Sequence, residues 1–327
     1  MYSGAGQQVD QAIEWIRTGK VEKGLAVLKQ LMMKSAQNPD LLYQLAETFY
    51  DLGHLDTAKA LLDGIEPFFD ELTTERQLEI QMLRVEILID QGELDQAINE
   101  IHDCLEREPD FIQAMLLLAD IYLMQELPEI ACHHLENILE IDPEQDEIRL
   151  TLAQLYLDLG DMKQAGYHFD ELKDSPLQSG AILGKAKLLS QVGDFEQAYE
   201  LFKACLEYDR SAEVLYGCSL TAYQLERLDE ALSFGLEVLQ NEPEYLGAYL
   251  LLGQIHEKMG NFQSAIAKLE EALRMQDLDE TIMLKLVELT YENGQVDQAQ
   301  RYLNQLLELD DEHELALEWV ERLQVGS

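Results

Sequence analysis

The fold of this chain is decided by a stretch whose pattern recurs along it. Residues 41–65 read LLYQLAETFYDLGHLDTAKALLDGI. Ahead of the glycine, apolar side chains recur at the spacing that places them on one helical face: Leu41, Leu42, Leu45, Phe49 and Leu52. After it, AKALLDGI (58–65) repeats the pattern on a second helix. Gly53 can adopt the left-handed conformation that ends a helix, so the stretch predicts a helical hairpin.

The turn of this hairpin returns at nearly constant intervals. Its pattern is a turn residue, an apolar residue two positions on, and a small residue to close. The instances are GKVEKG (19–24), GHLDTA (53–58), GELDQA (92–97), ELPEIA (126–131), GDMKQA (160–165), GDFEQA (193–198), ERLDEA (226–231), GNFQSA (260–265) and GQVDQA (294–299). The closing residues are 33 or 34 apart, except for one step of 39. A period of this length indicates a stacked array, in which each hairpin covers the apolar side left open by its neighbour.

The pattern resembles the tetratricopeptide repeat family, and in particular the acidic, stand-alone repeat proteins of bacteria. The small and aromatic residues that the family alternates on the first helix appear as Ala46/Phe49, Ala119/Tyr122 and Ala153/Tyr156, and its repeat-end proline as Pro109, Pro143 and Pro243. The resemblance implies an all-α, right-handed superhelical solenoid of about nine helical hairpins. The expected repeats are about 7–38, 39–72, 73–110, 111–143, 144–177, 178–210, 211–243, 244–277 and 278–310, with a capping helix at about 311–324, all in one domain spanning 1–327.

Several positions depart from the family pattern. Glu126 and Glu226 replace the turn glycine, and Gly24 replaces the small alanine of the second helix. Val85 and Val287 replace the small residue of the first helix. The 39-residue step predicts a longer loop around Pro67–Glu75, between repeats two and three. These departures affect local packing but leave the predicted fold unchanged.

The charge restricts the classes of partner. The chain carries 23 Lys and Arg against 64 Asp and Glu, a formal net charge of −41. Such a field repels nucleic acid and anionic lipid and favours partners with basic patches. It also keeps an apolar array in solution. Four cysteines without a CxxC pair, a non-apolar N-terminus and the absence of an 18-residue uncharged apolar run predict a reduced, soluble and cytoplasmic protein.

No catalytic motif is found, and no cofactor is predicted. The sequence lacks GxxxxGK[ST], GxGxxG, HExxH and GxSxG patterns. Cys132, His133 and His134 adjoin on one helix near the repeat-equivalent His102, but adjacent helical side chains diverge whereas a zinc site needs convergent ligands. Cys104 and Cys205 each lie twelve residues past a turn, where the family packs a small residue. These residues are therefore interpreted as core or surface rather than as metal ligands.

The resemblance also assigns a binding surface. With the turn glycine as position 15, the family directs positions 2, 5, 9 and 12 of the first helix toward its concave groove. The predicted partner-binding residues are Asp40, Tyr43, Glu47, Tyr50, Glu79, Met82, Glu86, Ile89, Leu116, Asp120, Leu123, Glu147, Leu150, Gln154, Leu157, Tyr216 and Tyr223. Leu, Tyr and Ile border a line of carboxylates. The window 108–162 sharpens this picture, because it holds 13 acidic residues and one basic residue, Arg149.

Three functions stay open at this point. The leading hypothesis is a non-enzymatic scaffold or adaptor that binds a basic, amphipathic segment of another protein in repeats two to five. A second is a self-associating structural array, in which another copy forms a homodimer by covering the apolar residues. A third is a regulatory subunit of a larger complex. The partner and the pathway cannot be read from the sequence.

Overall fold

The computed structural model describes residues 4–34, 37–276 and 278–325, and within them every regular element is a helix. The chain divides into two compact units, one ending at Ile148 and the other starting at Arg149. The helices that lie wholly in the first unit are α1 (Gly4–Arg17), α2 (Val21–Met32), α3 (Pro39–Asp51), α4 (Leu55–Asp63), α5 (Thr74–Asp90), α6 (Leu94–Arg107), α7 (Ile112–Met124) and α8 (Pro128–Ile141).

The second unit begins within α9 and is built in the same way. Its helices are α9 (Asp146–Asp158), α10 (Met162–Glu171), α11 (Gln178–Gln191), α12 (Phe195–Cys205), α13 (Ala212–Gln224), α14 (Leu228–Asn241), α15 (Leu246–Lys258), α16 (Phe262–Met275), α17 (Glu280–Glu292), α18 (Val296–Leu309) and α19 (Glu314–Val325). Helices α1 to α8 pair in succession as hairpins, as do α11 to α18, so the predicted all-helical hairpin architecture is confirmed. Among the described residues, none of the helices is both long and apolar enough to span a membrane.

The turns have the predicted left-handed backbone. The turn glycines have φ between +72° and +84°. Glu126 and Glu226, which replace glycine, adopt φ of +59° at the same position. A non-glycine residue pays roughly 1–2 kcal/mol for this conformation. The turn geometry is therefore dictated by the packing of the two helices, which imposes it even where the residue disfavours it.

The small residue after each turn lies at the closest contact between paired helices. The alanines at this position, among them Ala58, Ala131 and Ala198, are fully buried. Gly24 is the first member of the series, and a Cβ there would lie 2.5 Å from Cγ1 of Ile16 and 2.6 Å from the carbonyl oxygen of Ala12. The departure from alanine at residue 24 thus follows from an even closer approach of α1 to α2.

The extra residues between repeats two and three are mostly helical, which corrects the expectation of a loop at Pro67–Glu75. A 3₁₀-helix covers Glu66–Glu71, and α5 begins at Thr74 with Thr73 as its N-cap. The side-chain amide of Gln77 donates to the carbonyl oxygen of Phe69 over 2.7 Å. The insertion therefore packs against α5 and lengthens this helix at its N-terminus, to 17 residues.

Helix α19 covers the last hairpin, as predicted for 311–324. Ala316 and Leu323 are buried against Leu303 and Leu306 of α18. The ring of Trp319 meets that of Tyr291 edge-on, with centroids 5.4 Å apart.

Candidate partner-binding surface

In the first unit, the first helices of successive hairpins lie side by side. Helix α3 contacts α5, and α5 contacts α7. Their predicted groove positions therefore form one surface. This acidic surface, as it is called below, comprises Asp40, Tyr43, Glu47, Tyr50, Glu79, Glu86, Ile89, Leu116, Asp120 and Leu123.

Three carboxylates run across the middle of the acidic surface, one from each helix. Glu47 and Asp120 are exposed and Glu86 is half-buried. Partial burial raises the pKa of all three above the ordinary carboxyl value. For Glu47 and Glu86 the negative charge of nearby carboxylates, Asp51 among them, raises the pKa further. The surface thus concentrates negative charge in a partly dehydrated setting, which attracts cations.

Half-buried apolar and aromatic side chains border these carboxylates. They are Tyr43, Tyr50, Ile89, Leu116 and Leu123. Burial, together with adjacent negative charge, raises the pKa of Tyr43 and of Tyr50 to about 12, so both phenols are neutral at physiological pH. Asp90 is the carboxylate that contributes most to this shift at Tyr50. The border offers apolar area beside charge, the combination that suits an amphipathic segment.

Two of the predicted anchors do not lie on a surface. Met82 and Leu157 are each only 2% exposed. Met82 packs in the core of the first unit with Val85 and Ala114, and Leu157 packs in the second unit with Phe169. The prediction that Met82 and Leu157 contact a partner is therefore wrong, because both side chains are buried in the interior.

A basic residue, Arg76, also lies on the acidic surface, although it is at none of the predicted groove positions. Its Nε lies 3.6 Å from Oδ1 of Asp40, and its Nη1 lies 2.6 Å from Oε2 of Glu79. The guanidinium carbon lies 4.7 Å from the centre of the Tyr43 ring. Arg76 thereby neutralises one end of the surface and leaves Glu47, Glu86 and Asp120 without an ion pair to any described residue.

The remaining predicted residues divide between the units. Glu147 is exposed at the end of the first unit. In the second unit, Leu150 and Gln154 line a cavity of about 420 Å³ with Leu183 and Lys187.

The two predicted tyrosines of the second unit already have neighbours from this chain. The Tyr216 ring lies against that of Tyr245, with centroids 5.2 Å apart. The Tyr223 ring has the ammonium of Lys258 at 5.2 Å from its centre. Within the second unit these two rings are therefore already in contact with an aromatic ring and a lysine of this chain.

The cysteines lie in the core. All four are free and buried, and burial raises the pKa of the Cys104 and Cys132 thiols to about 11. The ring of His134 stacks on Tyr122 at 5.5 Å. No group of three or more His, Cys, Asp or Glu side chains within the described ranges is arranged to hold a metal ion.

The sequence reasoning missed Arg76, Asp51 and Asp90. Arg76 precedes the first position of its repeat and reaches the surface because the insertion extends α5 toward the N-terminus. The signal for it was Thr73 followed by a polar helical stretch, a typical N-cap arrangement. Asp51 and Asp90 each lie one residue after a position-12 side chain, and their recurrence at the same repeat position was the available signal.

Comparisons with known proteins agree with this architecture. A family model described as tetratricopeptide repeat protein 21 ARM repeat matches residues 1–127. Two models described as tetratricopeptide repeat match 128–171 and 257–318, and 183–245 and 233–280. Together they account for most of both units.

Among individual proteins, the TPR repeat-containing protein YpiA of Bacillus subtilis is 23% identical over 305 residues, which is 92% of this chain and 70% of YpiA. A tetratricopeptide repeat protein from Parabacteroides merdae has a TM-score of 0.54 at 21% identity, over 78% of this chain and 99% of that one. The APC/C hetero-tetramer Cut9–Hcn1 also has a TM-score of 0.54, at 16% identity, over 92% of this chain and 59% of that one. The family models and the hairpin repeat together show that this chain belongs to the tetratricopeptide repeat family.

Proposed function

We propose that this protein is a non-enzymatic interaction scaffold or adaptor, and that its acidic surface binds a basic, amphipathic segment of a partner protein. The observation that carries the proposal is the line of Glu47, Glu86 and Asp120, which has no ion pair to any described residue and lies between half-buried apolar side chains. Repeat arrays of this kind use extended surfaces to hold other proteins.

Charge complementarity defines the partner. A segment with Lys or Arg beside apolar anchors would neutralise the carboxylates and cover Tyr50, Ile89 and Leu123. Burial of the apolar anchors would supply most of the affinity, and the charges would set orientation and association rate. The net charge of −41 disfavours nucleic acid and anionic membranes as alternatives.

Affinity capture from native lysate, followed by mass spectrometry, tests the proposal. The bait is the intact chain, and the control bait carries Glu47→Gln, Glu86→Gln and Asp120→Asn. The proposal expects proteins that the control bait loses, and it expects these to contain basic amphipathic segments. Equal capture by both baits would refute the acidic surface as the binding site.

Self-association is the second candidate, and a specific observation favours it. In α19, Leu315 is 50% exposed and Leu317 is 46% exposed. A second copy would cover them. Size-exclusion chromatography with light scattering distinguishes the two functions, because an adaptor is monomeric across concentrations whereas a self-associating array forms a dimer. A dimer that Leu315→Gln together with Leu317→Gln abolishes would support self-association.

A further inference from the structure

The residues around Arg76 have counterparts seven positions along both helices. Asp40 and Tyr43 of α3 and Glu79 of α5 surround the Arg76 guanidinium. Adding seven to each number gives Glu47, Tyr50 and Glu86, so acid, tyrosine and acid recur in the same order. Seven residues are two helical turns, about 10.5 Å along the axis. Two sets of the same composition therefore lie next to each other, and they are called the Tyr43 set and the Tyr50 set.

The Tyr43 set shows what these three side chains do together. The guanidinium lies over the ring, and each carboxylate contacts one side of it. Contact with the face of an aromatic ring and with two carboxylates is the arrangement that a planar, delocalised cation prefers.

The Tyr50 set lacks the cation. The residue seven positions after Arg76 is Leu83, which is 5% exposed and packs in the core. Asp51 and Asp90 add two further carboxylates near Tyr50 and Glu86. Within the described residues, no Lys, Arg or His forms an ion pair with Glu47, Asp51, Glu86 or Asp90. The Tyr50 ring is half-buried, and Asp51, Glu86 and Asp90 lie near its phenol.

We propose that the Tyr50 set binds an arginine side chain of the partner, with its guanidinium over the Tyr50 ring and between Glu47 and Glu86. This inference rests on the proposed function and names the side chain that the acidic surface recognises. Arg76 already occupies the equivalent place at Tyr43, so one arginine subsite is filled by the chain itself and one is open to a partner.

Arginine fits this place better than lysine for a geometric reason. A guanidinium stacks on a ring and donates to carboxylates on two sides at once, whereas an ammonium acts as a compact, strongly hydrated charge. Lysine would gain the same long-range attraction but lose the stacking. The difference between the two side chains therefore separates a specific subsite from a merely acidic face.

The test uses two fluorescein-labelled amphipathic peptides of about 15 residues, long enough to form a helix on the surface. They share one pattern of leucines and lysines and differ only at a central position, arginine in one and lysine in the other. Fluorescence anisotropy with the intact chain measures both dissociation constants. We expect the arginine peptide to bind about three- to five-fold more tightly, the range for a partly exposed cation over a ring.

Three variants assign that preference to the Tyr50 ring. Tyr50→Leu should abolish the preference while the lysine peptide binds as before, because leucine keeps the apolar contact. Tyr50→Phe should keep the preference, since the ring remains. Tyr167→Leu, at a tyrosine of the second unit that is 54% exposed and outside the predicted binding residues, serves as the control and should leave the preference unchanged.

The outcomes distinguish this inference from the proposed function. If neither peptide binds, both are overturned. If both bind with equal affinity, or if the preference survives Tyr50→Leu in a variant whose circular dichroism melting curve matches that of the parent, the arginine subsite is overturned and the acidic docking surface stands.

Discussion

The first helices of both units carry carboxylates, but these differ in what surrounds them. In the second unit, lysines of this chain pair with them. Lys285 contacts Glu257 at 2.7 Å and Glu288 at 2.9 Å, and Lys187 contacts Glu213 at 2.5 Å. On the acidic surface, by contrast, Arg76 neutralises only the Asp40 end. One face is internally compensated, and the other keeps its charge available to an external cation.

This difference is independent of the scaffold, because the two units share their hairpins, left-handed turns and buried alanines. It arises from exposed positions that the packing leaves free to vary. A repeat array can therefore carry unpaired carboxylates in one segment and lysine-paired ones in another without altering either core.

The largest effect is expected where the units are alike. Ala131→Trp in the first unit and Ala198→Trp in the second should each destabilise by about 3 kcal/mol, because an indole cannot fit where these alanines are fully buried. Urea unfolding followed by circular dichroism measures the loss. Ala60→Trp and Ala204→Trp are the controls, since these alanines are exposed on second helices of the two units. Unchanged stability in the buried variants would mean that the helix contact is not close.

The next effect separates the acidic surface from other exposed rings. Tyr50→Ala and Leu123→Ala should each raise the dissociation rate of the arginine peptide, at a cost of roughly 1–3 kcal/mol if they are anchors. The helices should survive, because alanine is the best helix former. Surface plasmon resonance measures the rates. Tyr167→Ala, at a tyrosine that is 54% exposed in the second unit, should change nothing; an equal effect there would place binding elsewhere.

A smaller effect concerns association. The triple variant Glu47→Gln, Glu86→Gln, Asp120→Asn should slow association of the lysine peptide, which lacks the stacked guanidinium, about ten-fold at low salt, with its dissociation rate nearly unchanged. The difference should vanish near 1 M salt, where the Debye length is ~3 Å. Glu213→Gln, Glu257→Gln and Glu288→Gln, whose carboxylates are paired with lysines, form the matched triple variant. If both triple variants slow binding equally, net charge rather than the acidic surface steers the peptide.

The smallest expected effect is on the pH dependence of the free energy of unfolding. The pKa of Glu86 is raised above its ordinary value, 4.5, by burial and then by neighbouring carboxylates. As pH falls from 7 through the raised value, the folded state takes up this proton before the unfolded state does, so the contribution of Glu86 to stability increases. Glu86→Gln should therefore stabilise the protein at pH 7 by a few tenths of a kcal/mol. This gain should shrink as the pH is lowered toward 4.5, because Glu86 itself then loses its charge in the folded protein.

Thermal unfolding at a series of pH values measures this gain. Glu288→Gln, which removes a partner of Lys285, is the control and should not stabilise at any pH. A gain for Glu86→Gln that is constant with pH would show that relief of charge repulsion is not its cause.

Much of this architecture could be predicted from residue types and spacing alone. The 33- or 34-residue period, the turn glycines and the small second-helix residues identified the hairpins, because helix periodicity and left-handed turns are local properties. The capping helix was predicted for the same reason. Glu47 and Asp120 are exposed, as their repeat position predicts, because a charged side chain on the face away from the paired helix stays in contact with solvent.

The locations of Met82, Leu157 and Arg76 depended on tertiary structure. Met82 and Leu157 share repeat positions with the half-buried Tyr43 and Tyr50, yet they are buried, because burial depends on the neighbouring helices and not on the period. Arg76 reached the acidic surface only because a packed insertion extended α5. The sequence by itself determined a stack of helical hairpins with strong negative charge. Tertiary structure decided which carboxylates are paired across repeats, since pairs such as Arg76–Asp40 and Lys285–Glu257 need side chains from different repeats to lie within a few ångströms of one another.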